Sequence, residues 1–271
     1  MNKKRIIIIL IVICILLCCV YYGNNAITIS EYTIQSDKLV NIDTPIKIIH
    51  LSDLHNKEFG KDNTNLLELV KKEAPDIIVI TGDFIDSSRT DTQVAIDLSK
   101  KLVEIADVYY VCGNHEKALN DNVLWEFEEE IRGIGVNVMN NSFCEYNEDI
   151  VIVGLDNDSL SSDDKSFEAI MENVDSQKYT ILLAHEPQEI DWYASYGVDL
   201  VLSGHAHGGQ IRIPFTNIGL IAPDQGFFPK YTAGEYIVDE TTMIVSRGLG
   251  NSIIPVRVFN QPDIVKIMLS N

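Results

Sequence analysis

Five short segments of this chain place aspartate, asparagine or histidine directly after an apolar run, and side chains of these types bind metal ions. The chain contains six histidines, and five of them lie in these segments. Histidines that merely pack in a core would be scattered, so their concentration indicates a metal site. The segments are Asp53-Leu54-His55, Gly82-Asp83 with Asp86, Gly113-Asn114-His115-Glu116, His185, and Gly204-His205-Ala206-His207.

The types of these side chains narrow the metal and its chemistry. None of them is a cysteine, which argues against a structural zinc site or an iron–sulfur cluster. Histidine together with aspartate and asparagine suits Mn²⁺, Fe or Zn²⁺ better than Mg²⁺ or Ca²⁺, which prefer oxygen. The candidates outnumber the four ligands of a closed zinc site. Two divalent metal ions sharing a carboxylate would use them all, and such pairs, about 3.5–4 Å apart, catalyse phosphoryl transfer and hydrolysis.

The apolar run before each segment predicts a buried β-strand, because each run is short, rich in β-branched residues and bounded by turn residues. Open α/β sheets bind their ligands at the carboxyl ends of the strands. Asp53 and His55 are two residues apart, and in extended backbone such residues point to the same side, so the pair can face one metal. The predicted strands are 46–51, 77–80, 108–112, 180–184 and 198–202.

In this order the motifs resemble the calcineurin-like metallophosphoesterase superfamily. They read Asp-x-His, Gly-Asp-x-x-Asp, Gly-Asn-His-Glu, a lone His and Gly-His-x-His, and the resemblance covers roughly residues 46–269. The extension Gly204–Gln210 resembles a membrane-associated bacterial subgroup of predicted phosphohydrolases. Each motif alone also fits an ordinary turn, whereas the ordered set is specific. Ala206 stands where threonine is common in this subgroup, and Asp263 stands where glutamate is usual.

The resemblance implies seven metal ligands and two residues that act beside the metals. Asp86 would orient His115 or a ligand, and His115 would be a general acid or transition-state donor. The implied ligands are Asp53, His55 and His207 for the first metal, Asn114, His185 and His205 for the second, and Asp83 as the bridge between them.

Direct hydrolysis of a phosphate ester is the mechanism that this set predicts. A water or hydroxide between the metals would attack phosphorus, because coordination lowers its pKa. His115 or a nearby water would protonate the leaving oxygen. Arg247 and Arg257 are candidate phosphate contacts or structural residues, and His50, inside the first apolar run, is predicted to pack in the core or behind a ligand. The alternatives are a non-catalytic member that binds a ligand or partner, and a metallohydrolase acting on another bond.

The chain predicts one α/β domain over residues 45–271. Helical stripes begin near Leu66, Val94, Leu124 and Phe167, and strands are predicted at 236–239, 243–246 and 264–269. This pattern agrees with the fold that the resemblance implies, an αββα sandwich of two mixed β-sheets flanked by helices.

The N-terminus predicts a membrane helix. Lys3-Lys4-Arg5 precedes the uncharged segment 6–22, whose helix would be about 25 Å long, at the short end for a membrane span. The basic end favours residues 1–5 in the cytoplasm and the catalytic domain outside it. Residues 23–44 are predicted to be a linker and lead-in. A cleaved signal peptide is the alternative, but no Ala-x-Ala site is present and Cys18 lacks the small preceding residue of a lipoprotein signal.

The net charge of the chain limits the partners that it can bind. The chain has 21 basic and 40 acidic residues, and the first five residues hold three of the basic ones, which leaves 18 against 40, a net charge of −22, for the rest. Such a surface repels polyanions, so no nucleic-acid partner is expected. A small or lipid-linked phosphate ester remains compatible, because the metals supply local positive charge.

The segment 211–231 follows the last histidine motif and is rich in apolar residues. A loop packed over the sheet is the simpler interpretation. An apolar rim facing the bilayer is the alternative, which would admit a lipid-linked phosphate.

Overall fold

The computed structural model describes residues 3–157, 165–216, 218–252 and 255–271. Its strands follow the apolar runs of the sequence. Along the chain they are β1 (Thr28–Gln35), β2 (Ile46–Leu51), β3 (Ile77–Thr81), β4 (Asp107–Val111), β5 (Asn137–Val138), β6 (Ser142–Glu145), β7 (Ile150–Gly154), β8 (Tyr179–Leu183), β9 (Leu200–Ser203), β10 (Ile221–Ala222), β11 (Gly226–Phe227), β12 (Gly234–Val238), β13 (Thr241–Val245) and β14 (Asp263–Ser270).

The helices begin and end at the residues that the sequence favours for those positions. The Asp91 side chain accepts the N–H of Gln93 and caps the third helix. Ala74 takes a left-handed conformation before Pro75 and ends the second, and Gly135 ends the fifth in the same way. The helices are α1 (Lys3–Asn25), α2 (Thr64–Glu73), α3 (Thr92–Leu102), α4 (Asn114–Lys117), α5 (Asp121–Ile134), α6 (Ser166–Met171) and α7 (Ile190–Ala194).

Two six-stranded mixed sheets stack face to face between helices. The strand order is β1-β14-β2-β3-β4-β5 in one sheet and β12-β13-β9-β8-β7-β6 in the other. Side chains alternate across β2 and β3: Ile48 and Val79 pack between the sheets, whereas Ile49 and Ile80 pack under the helices. A third apolar layer joins the second sheet to α6 and α7. The αββα sandwich predicted from the sequence is therefore confirmed.

The carboxyl ends of the central strands meet at one edge of the sandwich. In the first sheet β2, β3 and β4 are parallel neighbours, and in the second β7, β8 and β9 are. The predicted ligands lie just after β2, β3, β4, β8 and β9, with Asn114 as the first residue of α4. Because both sheets present these ends on the same side, residues far apart in sequence are brought to one site.

The N-terminal region departs from the predicted boundaries. The helix α1 extends beyond segment 6–22 at both ends, and at its C-terminal end the side chains of Asn24 and Asn25 donate to the carbonyls of Val20 and Tyr21. The segment 23–44 is not only a linker, since β1 lies within it and pairs in parallel with β14 at the edge of the first sheet. The strand β1 was not predicted from the sequence, because β14, the strand with which it pairs, lies more than 230 residues away. By length and composition α1 could cross a membrane, with a mean hydropathy of 3.1 and 6% burial over its most apolar window.

The segment 211–231 is packed over the sheet only in part, because Ala222 and Tyr231 join the core of the second sheet while its phenylalanines lie at the surface. Phe215 is fully exposed, and Phe227 and Phe228 are 79% and 67% exposed. The main-chain N–H of Ile213 donates to the carbonyl of Ile218, and Phe215 lies between these two residues. Three large apolar rings therefore face away from the core.

Candidate metal centre

The first group of side chains joins Asp53, His55, Asp83 and His207, all buried. The Nε2 atoms of His55 and His207 lie 3.3 Å apart. Nε2 of His207 lies 3.6 Å from Oδ1 of Asp53, and Nε2 of His55 lies 3.5 Å from Oδ2 of Asp83. Four potential ligand atoms thus converge on one small volume.

The second group joins Asp83, Asn114, His185 and His205. Oδ1 of Asn114 lies 3.1 Å from Nε2 of His185 and 3.0 Å from Nδ1 of His205. Nε2 of His185 lies 3.3 Å from Oδ2 of Asp83. The same oxygen of Asp83 therefore faces both groups, and the two groups together bring seven of the sequence-predicted side chains to one site.

The electrostatics of the site fit divalent cations. Burial lowers the pKa of His55 to about 4 and that of His207 well below its ordinary value, which keeps both imidazoles neutral. Burial opposes ionisation of Asp83, but the adjacent His185 holds its pKa well below the usual range. Neutral histidine and ionised aspartate are the protonation states that bind metals.

His185 shows where the protein favours positive charge. Burial by itself would lower the pKa of this imidazole, but the carboxylates of Asp83 and Asp53 raise it to about 10. The two carboxylates that stabilise this proton would equally attract a divalent metal ion, which would displace it. The donor types, the convergence of their atoms and this field together fit a divalent metal at each group.

The backbone at the site is strained, and the extended-chain explanation for the paired ligands is wrong. Five of the seven, Asp53, His55, Asp83, His205 and His207, have φ between 47° and 66°. Left-handed backbone is uncommon outside glycine and costs about 1–3 kcal/mol per residue, and it clusters at functional sites. Asp53 and His55 therefore face the same centre through two left-handed residues, which the sequence spacing alone did not reveal.

Two of the candidate imidazoles are each oriented by a further hydrogen bond. Nδ1–H of His185 donates to the carbonyl of Thr81 at 2.7 Å, and the Thr81 hydroxyl lies 2.7 Å from Nε2 of His50. His50 is fully buried, in agreement with its predicted place. On the solvent side, Nε2 of His205 lies 2.8 Å from Oδ2 of Asp224. Sequence reasoning missed Asp224, because only the fold brings segment 211–231 back to the histidines.

Glu116 holds together the loop after β3 and the loop after β4. No function was assigned to this residue from the sequence. Its buried carboxylate accepts the main-chain N–H groups of Asp83, Ile85 and Gly113, each at 2.8 Å. The loops approach so closely that a Cβ at Gly82, where φ is +80°, would lie 2.4 Å from the nitrogen of Gly113. The position of Glu116 in the Gly-Asn-His-Glu motif was the available signal.

His115 stands beside the first group, with its ring centroid 4.5 Å from that of His55. Its Nδ1 accepts the main-chain N–H of Ser87 at 3.2 Å, so a neutral ring carries its hydrogen on Nε2, which lies 3.0 Å from the Ser252 hydroxyl. Asp86 is 3.7 Å from Nδ1, beyond hydrogen-bond distance. Its carboxylate instead holds Ser88 and Arg89, so Ser87 makes the direct contact that was expected from Asp86.

The two arginines proposed as phosphate contacts are both held by contacts within the protein, and only Nη2 of Arg257 approaches the site, 3.5 Å from Nδ1 of His207. Arg247 pairs with Asp263 at 2.9 Å and bonds to Thr28, and so joins β1 to β14. Arg257 is fully buried and donates to the carbonyls of Gly250 and Arg247. Both arginines are structural, because a chain with few basic residues uses them to tie its C-terminal loops together.

A pocket of about 430 Å³ opens beside the first group of ligands. His55 and Asp86 form its inner wall, and Arg89 adds positive charge, whereas burial and the nearby Arg257 lower the pKa of Lys57 to about 7. It is large enough for the phosphate-bearing part of a small molecule. The remaining lining residues are Asn56, Ser88, Asp91, Asn251, Ser252 and Pro255.

Comparisons with known proteins agree with this geometry. An uncharacterized metallophosphoesterase of Aquifex aeolicus is 32% identical over 90% of this chain and 92% of its own length. The uncharacterized metallophosphoesterase YkuE of Bacillus subtilis is 30% identical over 90% and 86%. A Danio rerio protein named as a transmembrane protein with a metallophosphoesterase domain is 27% identical over 87% of this chain and 58% of its own length.

Among solved structures, TT1561 of Thermus thermophilus superposes with a TM-score of 0.51 at 13% identity, over 76% of this chain and 91% of that one, which supports the fold. The sequence profile described as calcineurin-like phosphoesterase matches residues 46–209, which contain all seven clustered side chains. With that match over more than half of the sequence, the chain belongs to the calcineurin-like phosphoesterase family.

Proposed function

We propose that the protein is a phosphoester hydrolase that uses two divalent metal ions and is anchored in a membrane by α1, with its catalytic domain outside the cytoplasm. The observation that carries the hydrolase proposal is the position of Asp83, whose Oδ2 lies 3.5 Å from Nε2 of His55 and 3.3 Å from Nε2 of His185. One carboxylate oxygen thus serves two sets of ligands, the arrangement that a two-metal hydrolase requires.

The proposed ligands keep the division described above. Asp53, His55 and His207 would hold one ion, Asn114, His185 and His205 the other, and Asp83 both. Mn²⁺, Fe and Zn²⁺ suit this mixture of imidazole and oxygen donors. When bound, the ions would supply the Lewis acidity that generates a water-derived nucleophile at neutral pH and offsets the charge of the phosphoryl oxygens.

The protein itself would contribute a proton donor, His115, and a pocket that binds the substrate. The ring carries a hydrogen on Nε2, and in its imidazolium form, with Nδ1–H donated to the Ser87 hydroxyl 3.1 Å away, it would give the Nε2 proton to the leaving oxygen of the ester and return to the neutral ring. Lys57 and Arg89 line the pocket and favour an anionic substrate there. Asp86 fixes Arg89 at the pocket wall through a 2.6 Å ion pair, so its proposed role is to position that cation.

A substrate panel tests the proposal. The purified full-length chain, loaded with Mn²⁺, should hydrolyse at least one of a phosphomonoester, a phosphodiester and a pyrophosphate, and EDTA should abolish that activity. If the metal-loaded protein binds these compounds without hydrolysing any, the non-catalytic alternative is correct. If it hydrolyses only carboxylic esters or amides, the alternative of another scissile bond is correct.

A further inference from the structure

The anchor helix is fastened to the catalytic domain at the rim of the pocket. Only two residues separate α1 from β1. The side-chain oxygen of Asn24 accepts hydrogen bonds from the Asn251 side chain at 2.7 Å and from the main-chain N–H of Arg257 at 3.3 Å. Its carbonyl accepts the ammonium group of Lys57. The end of α1 is thus a packed part of the domain and not a free tether.

The close approach of the helix also depends on Gly23. A Cβ at this position would lie 2.6 Å from the carbonyl oxygen of Arg257. Arg257 in turn reaches toward the metal centre, with Nη2 3.5 Å from Nδ1 of His207. The end of the anchor is therefore one buried side chain away from a proposed metal ligand.

The residues that grip the helix also form the pocket. Lys57 and Asn251 bond to Asn24 and line the same cavity as His55. Among the described residues, the ammonium group of Lys57 donates to main-chain carbonyls and has no carboxylate within ion-pair distance. A phosphate group entering the pocket would therefore meet a lysine that no carboxylate of the described residues already pairs with.

On another side of the same helix end lies an apolar groove of about 530 Å³. Tyr22 and Gly23 of α1 line it together with Ile213, Phe215 and Phe259 of the domain. Phe215 is fully exposed and Phe259 is 56% exposed. Exposed aromatic side chains continuous with the end of an apolar helix are typical of a surface that enters the interfacial region of a bilayer.

We infer that the end of α1 holds the domain against the bilayer, with the groove in contact with lipid, and that the pocket takes the phosphate ester of a membrane lipid. This inference rests on the proposed hydrolase function and names its substrate class. The phosphate group would enter beside His55 and Lys57, while the apolar part of the molecule stays in the membrane along Phe215 and Phe259. A soluble ester has no apolar part that would contact the groove.

The substrate class is tested with matched pairs of esters. The full chain is reconstituted with Mn²⁺ in phosphatidylcholine vesicles and given phosphatidic acid or glycerol 3-phosphate, phosphatidylglycerol or glycerophosphoglycerol, and a long or a short prenyl pyrophosphate. For the head group that is cleaved, we expect the lipid to be turned over about 10²-fold faster than its soluble counterpart, the usual gain from a shared surface. Equal rates for both members would overturn the inference and leave the hydrolase proposal intact.

Two variants test the groove. Phe215→Ser combined with Phe259→Ser should lower turnover of the lipid about tenfold or more, because each buried ring contributes enough free energy for such a factor. Turnover of the soluble partner should follow the control Trp125→Ser, which removes an exposed ring from α5. Equal losses on both esters together with a lower melting temperature would assign the rings to folding, and no loss on either would remove them from lipid contact. Both outcomes contradict the inference.

A third measurement needs no turnover. Phe215→Trp should gain fluorescence that brominated phosphatidylcholine quenches, whereas Phe143→Trp, on the distant edge strand β6, should not be quenched beyond the parent protein. If the metal-loaded protein cleaves no phosphate ester, the hydrolase proposal fails, and the assigned substrate class fails with it. The quenching measurement then still shows whether the groove contacts lipid. Absence of quenching at Trp in position 215 would show that the bilayer does not occupy the groove.

Discussion

Asp83 accepts the main-chain N–H of His115 through Oδ1 at 2.9 Å while its Oδ2 faces both groups of metal-binding side chains. One carboxylate therefore sets the position of the proposed ions relative to the proposed acid. Glu116 in turn holds the main chain of Asp83. The relative placement of nucleophile, ions and proton donor thus depends on two adjacent loops and not on one flexible side chain.

Replacing Asp83 should remove both metals. Metal analysis of the wild-type protein after loading with Mn²⁺ should find two ions per chain, and Asp83→Ala should retain fewer than one and lose activity, because both sites lose a ligand. Asp107→Ala, at the exposed start of β4, is the matched control and should behave as wild type. A loaded wild-type protein with one ion or none would contradict the two-metal proposal.

His115→Ala should separate metal binding from proton donation. We expect both ions to remain and turnover of an alkyl phosphate to fall about 10²–10⁴-fold, the usual contribution of acid–base catalysis. A nitrophenyl ester should lose much less, because its leaving group needs no proton. Equal losses on both esters would mean that His115 does not protonate the leaving oxygen.

Glu116→Gln should destabilise the loops without removing a metal ligand. The amide oxygen can keep two of the three N–H partners, but its NH₂ group would face the remaining N–H, and a buried unsatisfied group costs about 1–3 kcal/mol. Urea unfolding of the metal-free protein measures this loss, and titration with Mn²⁺ should show weaker binding. Glu126→Gln, on the exposed face of α5, controls for the charge. An unchanged unfolding midpoint would exclude the positioning role.

The orientation of the anchor is open to a direct test. Of two reporters fused after Asn271, the one that works only outside the cytoplasm should be active and the one that works only inside it should be inactive. The reason is that Lys3-Lys4-Arg5 favours the cytoplasmic side of the membrane. The protein should sediment with membranes at its full mass and resist a carbonate wash. A shorter, soluble product would show that α1 is a cleaved signal peptide.

The proposed ligand set could be predicted from sequence because each of its residues follows a strand within four residues. Asp53, Asp83 and His185 each lie two residues after a strand end, and parallel strands bring those ends together. The two sheets and their helices could be predicted for a related reason, since strands such as β2 that are buried on both faces leave short continuous apolar runs.

The remainder depends on contacts that no local pattern encodes. Asp224 and Ser87 reach His205 and His115 only after loops distant in sequence have met. The left-handed backbone at Asp53 and His207 is imposed by the surrounding fold, since neither residue type requires it. Arg257 was a candidate phosphate contact from its charge alone, and its complete burial follows from the packing of the C-terminal loops.

The two-residue connection between α1 and β1 limits how far the active site can travel. Two extended residues reach at most about 7 Å, which is less than the width of the domain that they carry. In a membrane, such a connection would confine the search for substrate to two dimensions. Molecules that share the bilayer would be sampled at high effective concentration, whereas polymers standing well above the surface would stay out of range.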